Sequence, residues 1–420
     1  MKRTRISLII SLLLICAMAV NLVGCGMQVQ ATDLMKGITA QSVSGKTADD
    51  AFIHSQMKLS VDLFKSAVSE GKDQNVLISP LSVQLALAMT ANGANGQTKE
   101  EMETLLGGDI SLEDLNAYLY SYIKNLPSED QYKLEIADSI WFRDDESLTV
   151  EQDFLQTNAD FYGAQAYKSP FDAQTVKDMN RWVDTHTDGM IDKIIEEIDP
   201  DTVMYLINAL VFDAEWETVY EKTDIHTGSF TAVSGDKQTV DMMHSTESKF
   251  LNDGRATGFI KDYKNGKYSF AALLPNEDVD IGAYIAGLTE DSLLDTLHHA
   301  QSGTVTVTMP KFSYAYEWSM KDALAELGMP SAFSGSTADF SKMGRSSYGN
   351  LYIGDVLHKT FISVDELGTK AGAVTVVEMN AELAEISEWV VTLNRPFVYM
   401  IIDNATNLPI FMGTVTDIQK

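Results

Sequence analysis

The stretch from His358 to Thr375, HKTFISVDELGTKAGAVT, constrains the fold of this chain more than any other. It opens with strand character, placing Phe361, Ile362 and Val364 among short polar residues. Past Gly368 it becomes a run of small uncharged side chains. Alternate residues of a strand share a face. One face would therefore carry Thr369, Ala371, Ala373, Thr375, Val377 and Met379, with no charge, no proline and nothing bulky before its end. The other would carry Lys370, Gly372, Val374, Val376 and Glu378. Such a segment can be buried in the middle of a sheet, while Gly368 and Gly372 leave it flexible enough to be a loop. A segment able to be both is a candidate switch.

The rest of the chain supplies a large folded body. Apolar residues make up 45% and charged residues 22% of 420 positions, as in an ordinary globular protein. The start reads differently. Lys2, Arg3 and Arg5 precede the apolar run Ile6 to Val20, and Leu22-Val23-Gly24-Cys25 follows. Basic head, apolar centre and small residues at a cleavage point make a secretory signal over 1–24. Cysteine directly after Leu-Val-Gly resembles a bacterial lipobox, which implies lipid on Cys25 and an exported chain held at a membrane, outward-facing or periplasmic, or shed. The alternative is an uncleaved anchor, which needs about 20 apolar residues, more than this run offers. Residues 25–50 are polar and small without sustained periodicity and read as a tether, leaving 51–420 as one domain.

Cys16 leaves with the signal and Cys25 carries lipid, so the body has no cysteine for disulfides, thiol catalysis or thiolate metal sites. Core burial has to stabilise it. The net charge of −29 becomes three units more negative without the signal's basic residues. A field of that sign repels nucleic acid and anionic headgroups.

Along the body, Phe52, Met57, Leu59, Val61 and Phe64 predict an amphipathic helix. Ser79-Pro80 starts a second helix, serine as cap and proline in the first turn, ending near Asn92-Gly93. Thr98 to Leu106 predicts a third, stopped by Gly107-Gly108, and Asn180 to Ile195 a fourth. Leu134–Phe142 and Val203–Phe212 read as strands. After Ser229 the pattern is mostly β: Phe250–Leu251, Tyr268–Leu274, Thr304–Met309, Val390–Leu393, Phe397–Ile402 and Ile410–Val415. Early helices and late strands predict an α+β body with large mixed or antiparallel sheets.

Asn75-Val-Leu-Ile-Ser-Pro-Leu-Ser82 with the following LALAMTANGANGQT resembles the start of a serpin. Four more segments agree in the family's order. Asn180-Arg-Trp-Val183 through Ile191 resembles the helix before the central strand, and Leu206-Ile-Asn-Ala209 through Trp216 that strand. His358 to Thr375 resembles the strand and hinge before the reactive loop, and Asn394-Arg-Pro-Phe397 through Gly413 the closing strands. The resemblance implies three β-sheets, about eight or nine helices and an exposed reactive-centre loop over about 368–390. It implies a monomer that traps a serine protease as a covalent 1:1 complex. The protease forms an acyl-enzyme with the loop, and the cut loop then inserts as a new strand and drags the protease along. Fourteen residues at ~3.3 Å span roughly 45 Å, when about 1 Å of misplacement already costs rate.

The residues suit that role. The Thr369/Ala371/Ala373/Thr375 face can pass beneath a covering helix. No proline, which would remove ladder donors, lies between Gly368 and Arg395. The hinge so implied comprises Glu366, Gly368, Thr369, Lys370, Ala371, Gly372, Ala373 and Thr375. Leu367 and Lys370 depart from the family's usual acidic or polar residues there. Ser79, Ser82, Asn208 and His358 resemble the polar cluster beneath the central strands, and Trp216 the tryptophan where the loop enters. Helix capping is the plainer role for the serines, core packing for Trp216, and a satisfied core histidine for His358 taken alone.

Fourteen residues from Gly368 falls on Glu382, making Glu382-Leu383 the bait bond. Counting back from Pro396 gives a residue near Glu385, and Met379, Ala381 and Leu383 compete as baits for elastase-like or chymotrypsin-like pockets. Glu382 itself implies a Glu-specific protease. The rival class is a non-inhibitory serpin that carries a ligand or acts like a chaperone, against which the small, proline-free hinge argues. Enzyme chemistry has no support: the chain holds no GxSxG elbow, no HExxH and no Gly-rich phosphate loop. His298-His299 point in different directions on a helix, and Asn276 to Asp280 lacks calcium-loop spacing. Neither a metal nor a cofactor is expected. Asn404-Ala-Thr is a glycosylation triplet without a fitting context.

Overall fold

The computed structural model describes residues 30–419 except 72, 127–131, 146, 201, 348 and 370–387. Cys25 and the loop positions Lys370, Ala371, Gly372, Ala373, Thr375, Met379, Ala381, Glu382, Leu383 and Glu385 lie outside the described residues.

Seven strands build the central sheet: β1 (Thr32–Asp33), β2 (Tyr132–Arg143), β3 (Gln165–Ser169), β4 (Met204–Glu215), β5 (Phe312–Ser319), β6 (Asp355–Val364) and β7 (Gly368–Thr369). Their spatial order is β1-β3-β2-β4-β7-β6-β5. A nine-stranded sheet runs from the Trp389–Thr392 strand to Val76–Ile78, and a two-stranded sheet joins Thr149–Val150 to Gly344–Arg345. Among the described residues nine α-helices surround them: α1 (Asp50–Gly71), α2 (Pro80–Ala91), α3 (Gly96–Gly107), α4 (Leu112–Asn125), α5 (Gln152–Tyr162), α6 (Ala173–His186), α7 (Ile281–Ala286), α8 (Glu290–His298) and α9 (Lys321–Glu326). The α+β, three-sheet expectation is met.

Two cores flank the central sheet, and period-2 alternation assigns its residues to them. Leu134, Ile140 and Phe142 of β2 and Leu206, Leu210 and Phe212 of β4 face the main core with α1 and α2. Trp141, Tyr205 and Ile207 face the other way, onto Met179, Trp182 and Val183 of α6. Helix α2 has no charged residue and is buried throughout, so it can only lie between layers.

Three expectations change. The helix expected over Asn180–Ile195 is α6, capped by Asp172 and finished at His186. Asp188 and Gly189 turn the chain at positive φ. The apolar residues beyond return as a folded loop, because Asn180 Oδ1 accepts from the amides of Ile194 (2.8 Å) and Ile195 (3.0 Å). From residue 30 onward, the stretch expected to be a tether lies against the body. There β1 extends the sheet edge beside β3, and the Gln30 and Ala31 amides donate to buried Asp178 Oδ2 at 2.9 and 3.1 Å. Backbone hydrogen bonds and the side chains of Leu34, Met35 and Ile38, which pack on the main core without a sustained period, hold this unpatterned stretch. Finally, the loop expected over 368–390 begins and ends inside sheets, since Gly368–Thr369 is β7 and Trp389–Thr392 pairs in parallel with Val305–Thr308.

Candidate functional site

The centre of the molecule is a seam between β4 and β6. In its lower part these strands pair directly and in parallel, Asp355↔Tyr205 through His358↔Asn208. At its upper end β7 lies between them, Gly368↔Glu215 and Thr369↔Ala214 on one side and Thr369↔Val364 on the other. Asn208 and His358 are thus the last pair of the closed part, at the fork. An added Cβ at Gly368 would collide with the carbonyl of Ala214, so only glycine fits this close approach of strands.

Helix α2 delivers the groups that hold the fork. Pro80 presets the first turn and Ser79 caps it, its hydroxyl accepting from Ser82 N–H at 3.4 Å. The Ser82 hydroxyl donates to Asn208 Oδ1, and Asn208 Nδ2 donates to the Ser82 carbonyl at 2.8 Å. The Ser79 amide donates to His358 Nε2 at 3.0 Å. Ser79, Ser82, Asn208 and His358 are all buried and come together as one cluster. Capping and cluster membership are both true of Ser79. An accepting Nε2 puts the imidazole proton on Nδ1, which is buried and has no partner among the described residues. Burial pushes the His358 pKa down to about 4, so its ring is neutral near neutral pH.

The cluster has a member that motif reading missed. Asn208 Nδ2 also donates to Asp138 Oδ1 on the neighbouring strand β2. Burial pushes Asp138 up to about 7, against the lowering effect of that hydrogen bond. Its signal was in the sequence: in the series Leu134, Ile136, Asp138, Ile140, Phe142, a lone acid takes a core-face position.

At the upper end, Trp216 is fully buried and clasps the turn that leads into β7. Its amide donates to the Leu367 carbonyl and its Nε1 to the Asp365 carbonyl, each at 2.9 Å. Its ring stacks on Tyr263 at 4.5 Å. The Tyr263 hydroxyl shares a hydrogen bond with that of Thr369, itself 2% exposed. The Glu366 carbonyl accepts from Tyr220 N–H at 3.0 Å, and its carboxylate pairs with Lys311 at 2.5 Å. Burial opposes ionisation of Glu366, but the Lys311 hydrogen bond and charge bring its pKa below the ordinary value. Lys311 and Tyr263 carried no sequence signal, because their partners are distant in the chain. Below them Lys261, almost fully buried, bonds Glu247 at 2.8 Å and lies 4.6 Å from the Tyr220 ring centroid.

His298 and His299 stand at the exposed end of α8, and His299 is paired with Asp295. Among the described residues no cluster of three metal-ligating side chains occurs.

The family profile described as Serpin (serine protease inhibitor) matches residues 54–418. An uncharacterized serpin-like protein of Thermococcus kodakarensis is 32% identical, over 84% of this chain and 82% of its own length. The crystal structure of a thermophilic serpin, tengpin, in the native state is similar with a TM-score of 0.89 and 52% identity, covering 93% of this chain and all of that one. Tengpin in the latent state is less similar in shape, with a TM-score of 0.80 at 50% identity, covering 89% of this chain and all of the other.

Proposed function

Because this chain belongs to the serpin family, we propose that it inhibits serine proteases as a suicide substrate, with insertion of its loop into the seam between β4 and β6. The protease serine attacks the Glu382 carbonyl, the bond to Leu383 breaks, and the new amine of Leu383 leaves with the proton. The remaining ester ties the protease to the loop. Insertion then displaces the protease before water cleaves that ester.

The observation that carries this reading is β7. Thr369 already occupies the slot between β4 and β6, its side chain inward on Tyr263. Continuing its antiparallel register down β4 would set Ala371 opposite Phe212, Ala373 opposite Leu210 and Thr375 opposite Asn208. The small inward face would thus meet the core, and a hydroxyl would reach the fork where Asn208 and His358 part from α2. The twelve residues of β4 admit Gly368 through Met379, a translation of roughly 40 Å. That register favours a bait beyond Met379, consistent with Glu382, with Ala381, Leu383 and Glu385 as its nearest competitors. The Nδ1–H of His358, without a partner among the described residues, adds about 1–3 kcal/mol of strain that opening the seam would relieve.

The lipobox-like Leu22-Val23-Gly24-Cys25 supports lipid attachment at Cys25 and display on a bacterial membrane. Labelling with a fatty-acid analogue, present in the natural chain and lost in Cys25→Ala, tests it. Incubation with elastase-like, chymotrypsin-like and Glu-specific proteases tests the inhibitory reading. The expected result is an SDS-resistant 1:1 complex and a released peptide beginning at Leu383. A different first residue would move the bait, and rapid cleavage without a complex would refute inhibition.

A further inference from the structure

The fork of the seam holds two ionisable side chains, one on each side of Asn208. Asp138 of β2 and His358 of β6 are both register partners of Asn208 of β4. Side chains in one cross-strand row share a face, and two strand spacings separate the acid and the base by about 10 Å. They are therefore too far apart to pair with each other.

Among the described residues neither has a charged partner. Helix α2 supplies only Ser79 and Ser82 at this level and carries no charge. Tyr162 of α5, held on Asn116 of α4, is the ionisable neighbour of Asp138, and burial keeps its hydroxyl protonated. Trp318 of β5 stands opposite His358, with Glu70 of α1 bonded to the far side of its indole at 2.8 Å. On β6, Asp355 lies three positions down the seam on Ser319, and Lys359 turns to the other face, onto the Lys193 carbonyl and Glu317. On β2, Lys133 and Glu135 pair with each other and Arg143 bonds the Thr202 carbonyl, all nearer the strand ends. Above the fork on β4, Glu215 pairs with Lys264. On the far face of the sheet, Arg181 of α6 pairs with Asp178.

His358 is fully buried and Asp138 half-buried at the fork, and in such a place an acid and a base resist ionisation in opposite pH directions. We propose that Asp138 and His358 form an opposed pair that keeps opening of the seam insensitive to pH across the acidic to neutral range. The sign follows from linkage. Opening brings water to the fork and returns both groups toward ordinary behaviour. For Asp138, raised when closed, the open form gains as pH rises from about 4, levelling off near 7. For His358, lowered when closed, the open form gains as pH falls from about 6.5, levelling off near 4. The two windows nearly coincide and the effects run against each other. The wild-type seam then opens almost equally at pH 4.5 and 7.5.

This inference rests on the seam being the element that opens, so its test does not depend on inhibition. Hydrogen-exchange protection is measured for the amides of residues 205–208 and 355–358 between pH 4.5 and 7.5, corrected for intrinsic exchange. In the wild type, opening is expected to change less than about fivefold. In Asp138→Asn opening should fall as pH rises, and in His358→Gln it should climb, each by roughly ten- to hundredfold given tenfold per pKa unit. A steep wild-type profile, or slopes of equal sign or none in the two variants, overturns the proposal. Should either variant fail to fold, NMR titration of His358 in the wild type decides: a midpoint near 6.5 overturns it, one near 4 upholds it. Failure to trap proteases with these slopes intact would refute the inhibitory reading alone.

Discussion

Replacing Tyr263 by Phe isolates what seats the hinge in the sheet. The substitution keeps the ring, hence its 4.5 Å stack on Trp216 and its edge contact with Phe212 at 5.2 Å. It removes only the hydroxyl shared with Thr369. Both side chains are buried, so a seated Thr369 would be left with an unsatisfied hydroxyl, at about 1–3 kcal/mol. Neighbouring bonds, Trp216 to Leu367 and Asp365 and Lys311 to Glu366, remain and hold the preceding turn. The cost therefore falls on unseating Gly368–Thr369 locally, whose population should rise roughly 5- to 150-fold. The Asp365 amide, which donates to the Gly368 carbonyl at 3.0 Å, reports this directly by hydrogen exchange. Its protection should drop by that factor while amides of the Tyr268–Pro275 strand keep theirs. Protection within twofold of wild type would refute the view that this hydroxyl pair holds β7 in place.

Other perturbations have clear expected outcomes. Asn208→Ala removes the donor and acceptor joining Ser82, Asp138 and β4, and should lower unfolding free energy by about 2–4 kcal/mol in urea melts; a change below about 0.5 would contradict it. Lys261→Met strands Glu247 in a largely buried site and should cost about 3–5 kcal/mol, while Lys261→Met with Glu247→Leu should recover most of that loss in thermal melts. Asp178→Ala takes the acceptor from the Gln30 and Ala31 amides, so limited proteolysis near residues 30–36 should accelerate at least fivefold, with the rest of the chain unchanged.

What was legible in the sequence is what a local period can carry. The apolar alternation of β2 and β4, the Ser79-Pro80 start of α2 and the glycines after α3 mark elements within a few residues. The five seam residues Ser79, Ser82, Asn208, Trp216 and His358 were readable through motifs, and the structure brings four of them to one fork and the fifth to the hinge. Illegible were partners chosen by tertiary proximity. Lys311 for Glu366 and Tyr263 for Thr369 are separated by 55 and 106 positions, and nothing local points from one to the other. The docked stretch after residue 30 was hidden because its contacts combine backbone hydrogen bonds with the few apolar side chains Leu34, Met35 and Ile38, which repeat at no sustained period. The α6 boundary failed because Asn180 ties apolar residues of a loop into what looks like helical spacing.

The central claim is that the loop can become a strand of the central sheet between β4 and β6. Cutting the loop with a non-target protease and comparing melting temperatures of intact and cleaved chains tests it most directly. Insertion should raise the midpoint far beyond the roughly 2–4 °C that 1 kcal/mol yields in a large domain. An unchanged or lower melting temperature after complete cleavage near Glu382 would contradict it.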